Sequence, residues 1–286
     1  MKLLDKILVK VGWPFARLFV AGKIMEDAFR VAKKLNEQGL EAIINFLGEE
    51  VKDRKQAQEN VRVYIEILRQ IYQQKLKARV SVKPSQLGLK INRDFYWHNL
   101  WEVGRRAFNF EISLEIDIET EDTVEAIIQA TIEFKKYFTS KFFGTIDLRQ
   151  AVAMNFKKSF TYLYNLTAAD VGVRLCKGAY PSRYSEKEVK QRYFHAASWL
   201  LRMKTNPDFA THDLRLLDRI FLLRNEYPSV CGFQFLLGLR KKKWKELSGK
   251  GERVAVYVPF GKNWLPYAKR RWKYIIKKIP SMICGN

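Results

Sequence analysis

Eight short apolar or alternating runs recur along this chain, and amphipathic patterns typical of helices lie between them. The clearest helical patterns span 52–75, 123–138 and 185–203. Strand and helix in alternation indicate βα units, and their right-handed crossovers place successive strands side by side in parallel. Eight such units without a break predict an α/β fold, a (β/α)8 barrel. The predicted strands are 42–47, 78–82, 111–118, 144–151, 171–176, 209–211, 230–236 and 253–258.

An open, doubly wound sheet is the alternative fold. It is weakened because no Gly-x-Gly-x-x-Gly motif follows the first predicted strand. Residues 1–40 precede that strand and are expected to add extra N-terminal helices packed on the barrel, which spans 41–286. We expect one domain overall, because the sequence has no linker rich in Ser, Gly or Pro.

Polar side chains stand at the predicted ends of nearly all the strands. In barrels of this kind the working residues lie at the carboxyl ends of the strands, so these side chains are predicted to meet at one mouth. They are Glu49, Lys83, Asp117, Gln150, Arg174 with Lys177, Thr211 with His212, Gln234 and Tyr257.

The fifth of these strand ends is the most informative. An apolar strand leads within a few residues to Arg174, Lys177, Gly178 and Tyr180. Fixed positive charge, a glycine that lets the backbone approach a ligand, and a flat aromatic ring suit a large, anionic, planar ligand.

The net charge of +22 is unevenly distributed. Residues 240–286 hold fourteen Lys and Arg against two Glu, a net charge of +12. Nucleic acid, an anionic membrane surface and the charged surface of a thermophilic protein all remain open as explanations. The nucleic-acid explanation lacks a recognisable binding module. A mixed basic and apolar segment, 264–278, predicts a helix that packs on its own domain or lies on a membrane.

The cysteines and the first residues bear on the compartment. Cys176, Cys231 and Cys284 lie far apart, match no zinc spacing and fit a reducing compartment. Charged residues interrupt the first 22 positions, which indicates an amphipathic helix where a signal peptide would have an uncharged core. No run approaches the ~18 apolar residues of a membrane span. We therefore expect a cytoplasmic protein.

Short segments in a specific order resemble monofunctional proline dehydrogenases along almost the whole chain. One of them reads Val-Arg-Leu-Cys-Lys-Gly-Ala-Tyr at 173–180. The resemblance implies a FAD-containing (β/α)8 barrel that oxidises L-proline to Δ1-pyrroline-5-carboxylate, with a quinone as electron acceptor. The segments are 19–28, 45–49, 80–88, 115–119, 173–180, 209–212, 233–238 and 256–261, with Tyr267, Arg270 and Arg271.

The resemblance also implies roles for the substrate-side residues. Lys83, Arg270 and Arg271 would bind the proline carboxylate, and Asp117 would organise this basic cluster. Tyr257 would shape the pocket around the proline ring. Glu49 would act as a gate that pairs with Arg270 when the site closes.

On the cofactor side, the resemblance places Arg174 near flavin N5, where negative charge develops on reduction. Gln150 is expected to contact the isoalloxazine ring. The remaining expected FAD contacts are Ile118, Cys176, Lys177, Gly178, Ala179, Tyr180, Thr211, His212 and Gln234. No metal site is expected.

Two other functions compete with this one. A lysine at a barrel mouth, Lys83 or Lys177, is typical of Schiff-base aldolases. A basic nucleic-acid-binding protein is the non-enzymatic alternative. Neither explains the ordered segments. A quinone acceptor and the basic C-terminal region together predict peripheral association with anionic lipid, at the inner face of the cell membrane.

Overall fold

The computed structural model describes residues 12–48, 51–142, 146–179 and 182–269 of the 286-residue chain. Four residues with predicted roles lie outside these ranges: Glu49, Tyr180, Arg270 and Arg271. So do residues 1–11 of the predicted N-terminal amphipathic segment and residues 270–278 of the predicted C-terminal helix. Their roles stay predictions.

Eight strands in the described part of the chain close into a barrel in sequence order. Each strand pairs in parallel with the next, and the last pairs with the first, as in the register Ile43↔Tyr257. This architecture confirms the predicted (β/α)8 fold. The strands are β1 Glu41–Phe46, β2 Ala78–Val82, β3 Leu114–Ile116, β4 Leu148–Ala153, β5 Gly172–Cys176, β6 Asp208–Ala210, β7 Gly232–Leu236 and β8 Arg253–Phe260.

Helices surround the barrel, and polar caps fix where several of them begin. Asp53 and Asn92 accept the backbone N–H of Gln56 and Phe95, and Ser185 forms a capping box with Glu188. The helices are α1 Met25–Asn36, α2 Arg54–Gln73, α3 Arg93–Asn109, α4 Glu121–Phe142, α5 Ser159–Ala168, α6 Glu186–Arg202, α7 Leu214–Glu226 and α8 Lys241–Gly249. None of these combines the length and the apolar character that crossing a bilayer requires.

The N-terminal helix α1 packs against both β1 and β8. It therefore covers the seam where the barrel closes. Residues 12–16 and 264–269 are also helical, and both contribute to an apolar cluster with the ends of β1 and β8. Trp264 and Tyr267 are buried there. The described part of the predicted C-terminal helix thus packs on its own barrel.

The third and fourth predicted strands differ most from their bounds in the structure. The third begins at Leu114 instead of 111, because Glu111 adopts a left-handed backbone (φ 55°) as helix α3 ends. The fourth runs to Ala153 instead of 151. This second difference moves Gln150 from the end of its strand to the middle.

Candidate functional site

Asp117 is the centre of a buried polar cluster at the carboxyl end of the barrel. Its carboxylate lies 2.7 Å from Lys83 Nζ and pairs with the guanidinium of Arg174. Tyr257 Oη donates to it at 2.6 Å and Ser81 Oγ at 2.9 Å. All of these side chains are buried. Four strands therefore bring together groups that are distant in sequence.

The charges of this cluster stabilise one another. Burial by itself raises the pKa of Asp117, but the nearby Lys83 and Arg174 outweigh it and hold the pKa well below its usual range. For Arg174, burial lowers the pKa, while Asp117 and Glu115 raise it well above the ordinary value. Burial, reinforced by Asp117, raises the pKa of Tyr257. At neutral pH the cluster therefore contains the Asp117 anion, the cations of Lys83 and Arg174, and the neutral phenol of Tyr257.

A cavity of about 1470 Å³ opens directly above this cluster. It exceeds the ~300–1,000 Å³ usual for small-molecule pockets, so it has room for a large ligand as well as a small one. Its wall includes these predicted site residues: Lys83, Asp117, Ile118, Arg174, Cys176, Lys177, Gly178, Ala179, Thr211, His212, Gln234 and Tyr257. Tyr267 also lines it, beside the predicted aromatic Tyr257.

The loop after β5 brings the backbone close to this cavity. Gly178 has a φ of +116°, which a residue with a side chain rarely adopts. A Cβ there would lie 2.1 Å from Asn155 Oδ1. Glycine is therefore required at this position both by backbone conformation and by space.

Polar groups on the far wall are held by local bonds. Lys177 Nζ and Lys190 Nζ lie 3.6 Å and 3.2 Å from the Asp213 carboxylate. Burial lowers the pKa of Lys177, although Asp213 opposes this. The backbone N–H of Leu236 donates to His212 Nε2 at 2.9 Å, so the ring proton of a neutral His212 is on Nδ1.

Gln150 is the described site residue that the structure does not bring to the cavity. Its side chain accepts from Thr131 on α4 at 2.8 Å and donates to the Ile116 carbonyl at 3.2 Å. The side chain therefore faces the helix layer. The reason is the alternation of side chains along β4: Arg149 reaches Asp208 inside the barrel, so Gln150 lies on the outward side.

Comparison with known proteins shows the family of the chain. The sequence model of the family described as "Proline dehydrogenase" matches residues 28–273. The chain belongs to the proline dehydrogenase family. Proline dehydrogenase 1 of Bacillus subtilis (strain 168) is 29% identical over 268 residues, covering 90% of this chain and 85% of that protein. The proline dehydrogenase of Deinococcus radiodurans is 26% identical over 270 residues, covering 91% and 86%.

Solved structures show the same fold as this member of the proline dehydrogenase family. Proline utilization A from Bdellovibrio bacteriovorus, inactivated by N-propargylglycine, matches with a TM-score of 0.85 and 20% identity over 96% of this chain. Proline utilization A from Bradyrhizobium japonicum matches with a TM-score of 0.76 and 20% identity over 90%. This chain spans only 34% and 30% of those longer chains.

Sequence reasoning missed a second polar layer in this proline dehydrogenase family barrel. Glu115, Arg79 and Asp208 lie inside the barrel, below the cluster around Asp117, and all are buried. The signal was the period of two along a strand: Glu115 precedes Asp117 by two positions, so both face inward. In the described part of the chain, no group of three or more His, Cys, Asp or Glu is arranged to hold a metal ion.

Proposed function

We propose that this protein is a FAD-dependent proline dehydrogenase, which oxidises L-proline to Δ1-pyrroline-5-carboxylate as the first step of proline catabolism. The observation that carries the proposal is the Asp117 cluster. A lysine and an arginine from different strands converge on one buried carboxylate, directly below a cavity with room for both an amino acid and a dinucleotide. Membership of the family supports this reaction.

The cavity fits FAD in charge as well as in size. Its described lining holds nine Lys or Arg against five Asp or Glu, which favours an anionic ligand such as a diphosphate. Lys241, Lys242 and Lys243 at the start of α8 contribute much of this charge. They would hold the diphosphate, with Lys177 and the loop at Gly178 closer to the flavin.

A buried donor in the cavity wall supports the same fit. The Nε–H of Arg174 is buried and has no hydrogen-bond acceptor within the described residues. Such a donor costs free energy unless a ligand satisfies it. Bound FAD would supply the acceptor for the hydride from C5 of a proline whose nitrogen has lost its proton to solvent. Arg174 supplies positive charge and an N–H where negative charge develops on reduction.

Lys83 would bind the proline carboxylate. An ammonium group has three N–H donors, so it can bond to Asp117 and also to a substrate carboxylate. Arg270 and Arg271 are proposed to complete this clamp, with Glu49 as its gate. Asp117 is too weak a base to take the proline amine proton, because its cationic neighbours hold its pKa so low. Its role is to fix Lys83 and Arg174 in place.

Electrons are proposed to leave through a quinone, which places the protein at an anionic membrane surface on the cytoplasmic side. The net charge of +22 supports such an association. The aldolase alternative is disfavoured for Lys83. A Schiff-base lysine must be neutral, whereas the carboxylate 2.7 Å from Lys83 stabilises its charged form. The nucleic-acid-binding alternative is not favoured either, because the polar side chains meet at a buried site in the barrel.

The visible spectrum of the purified protein tests the proposed function. We expect a flavin spectrum that bleaches when L-proline is added anaerobically. Lys83→Met should still bind flavin but raise the proline KM about 10- to 100-fold, because a charged hydrogen bond is worth ~1.5–3 kcal/mol. Lys158→Met is the matched control, since Lys158 pairs with Glu125 at 2.8 Å on the exposed surface. Purified protein without flavin, or flavin that proline leaves oxidised, would overturn the proposal.

A further inference from the structure

The barrel interior below the cavity is charged where such barrels usually pack branched apolar side chains. Arg79 Nη1 lies 2.9 Å from Glu115 and 2.5 Å from Asp208. Asp208 also lies 2.7 Å from Arg253 Nη2 and 3.6 Å from Arg149 Nε. Removing so many charges from water costs free energy, and the ion pairs between them must offset that cost.

Glu115 is the link between this layer and the cavity. It is fully buried and accepts three hydrogen bonds: from Arg174 Nη1 at 2.8 Å, Arg79 Nη1 at 2.9 Å and Gln234 Nε2 at 2.6 Å. Arg174 and Gln234 both line the cavity. In the described chain, Asp117 bonds to Arg174 and Asp208 bonds to Gln234, whereas Glu115 bonds to both.

The orientation of the Gln234 amide follows from its partners. Its nitrogen lies within 2.6 Å of Glu115 and 2.8 Å of Asp208, and both partners are carboxylates. Only an N–H can face two carboxylates favourably, so the amide cannot be flipped. Oε1 is therefore left as the atom that accepts from a ligand in the cavity.

Arg174 is fixed in a similar way. Its Nη1 bonds to Glu115 on β3 and its Nη2 to Asp117, which directly follows β3 and faces inward as well. Each end of the guanidinium fork is therefore held by a separate anion. With both Nη atoms held, the direction of the Nε–H, which has no acceptor within the described residues, is fixed as well.

We propose that Glu115 is a positioning residue that fixes the Arg174 guanidinium and the Gln234 amide together, so that the cavity presents one N–H donor and one carbonyl acceptor to the flavin. This inference rests on the proposed function. Glu115 does not touch substrate or cofactor; it acts through two residues that do. Losing the bonds to Glu115 leaves Asp117 as the remaining anchor of Arg174 and Asp208 as the remaining anchor of Gln234, so neither group is held from two sides any longer.

A matched control separates positioning from the general stability of the charged layer. Glu41 accepts from Arg79 at 2.9 Å and 2.6 Å, so Glu41→Gln weakens the same layer. Its described hydrogen bonds and ion pairs do not involve Arg174 or Gln234. Glu115→Gln and Glu41→Gln each remove one negative charge and keep the side-chain size.

The experiment compares the two variants with the wild-type protein. For Glu115→Gln we expect kcat to fall about tenfold or more, with a smaller change in the proline KM, as is typical when a supporting contact is lost. The flavin absorbance maxima should shift. The midpoint potential should become more negative, because the positive charge of Arg174 is less well placed. For Glu41→Gln we expect wild-type spectra, potential and kcat.

Two results would contradict the inference. One is identical spectra, potential and kcat in Glu115→Gln and Glu41→Gln, with only their stabilities changed. If Glu115→Gln does not fold, Glu115→Asp keeps the charge near Arg79 but shortens the reach to Arg174, and a wild-type spectrum and potential in that variant would also overturn it. A wild-type protein that proline fails to bleach would instead overturn the proposed function itself.

Discussion

At the scale of single residues, the site depends on charges that are buried and fully compensated. Asp117 holds Lys83 and Arg174, and Glu115 holds Arg174 from the other side. Arg174 also stacks over the Tyr257 ring, with its guanidinium carbon 5.6 Å from the ring centre. These charges share partners, so removing one of them weakens the charge compensation of several others.

Replacing Asp117 tests this compensation. Asp117→Asn keeps the shape but removes the anion that Lys83 and Arg174 share, which should lower the free energy of unfolding by about 3–5 kcal/mol at pH 7. Activity should be lost. The folded-state pKa of Asp117 lies below its unfolded value of ~3.9, so its stabilising effect is present above that pH and is lost as the pH falls further. The difference between variant and wild type should therefore shrink below about pH 4.

Denaturant unfolding curves at several pH values measure this difference. Asp122→Asn is the control, because Asp122 is exposed at the start of α4 and its removal should change little. Equal stability of wild type and Asp117→Asn at pH 7 would show that the pair contributes nothing.

At the scale of elements, the first residues of the loop between β5 and α6 are constrained by backbone conformation and by space. Arg174 and Cys176 belong to the strand, while Lys177, Gly178 and Ala179 line the cavity from the loop. The capping box of Ser185 and Glu188 then begins α6. Gly178, whose backbone conformation only glycine adopts easily, lies between the end of β5 and this capping box.

Gly178→Ala should disturb this loop more than the backbone penalty alone. Both Gly178 and Gly251 have positive φ, but an added Cβ meets Asn155 at 2.1 Å in the first and nothing within 4 Å in the second. Gly251→Ala should therefore cost only about 1–2 kcal/mol. Gly178→Ala should in addition reduce the amount of flavin that copurifies. Flavin content and melting temperature report the two effects separately, and equal flavin content in both variants would refute the constraint.

At the scale of the whole molecule, positive charge is the dominant surface property. Arg240, Lys241, Lys242 and Lys245 are exposed around the start of α8, at the same end of the barrel as the cavity mouth. Trp244 and Leu247 of the same helix are buried. The apolar face of α8 is therefore used by the barrel, and its basic face is available to solvent.

Sedimentation with lipid vesicles tests whether this charge directs the protein to membranes. We expect the protein to sediment with vesicles containing anionic lipid at low salt and to remain in solution with neutral vesicles. Raising the salt to about 0.5 M should release it, since screening shortens the range of surface charges to a few ångströms. Equal recovery in the supernatant with both kinds of vesicle would remove the membrane part of the proposal.

The sequence by itself determined the barrel and most of its mouth. Strand runs separated by amphipathic helices leave few other topologies, and residues just after β2, β3 and β5 had to reach the carboxyl rim. Only the tertiary structure decided the rest. Gln150 faces outward and Glu115 joins Arg174 to Gln234 because strand ends and register depend on barrel closure. Closure pairs residues far apart in the chain, such as β1 with β8, and local patterns carry no record of that pairing.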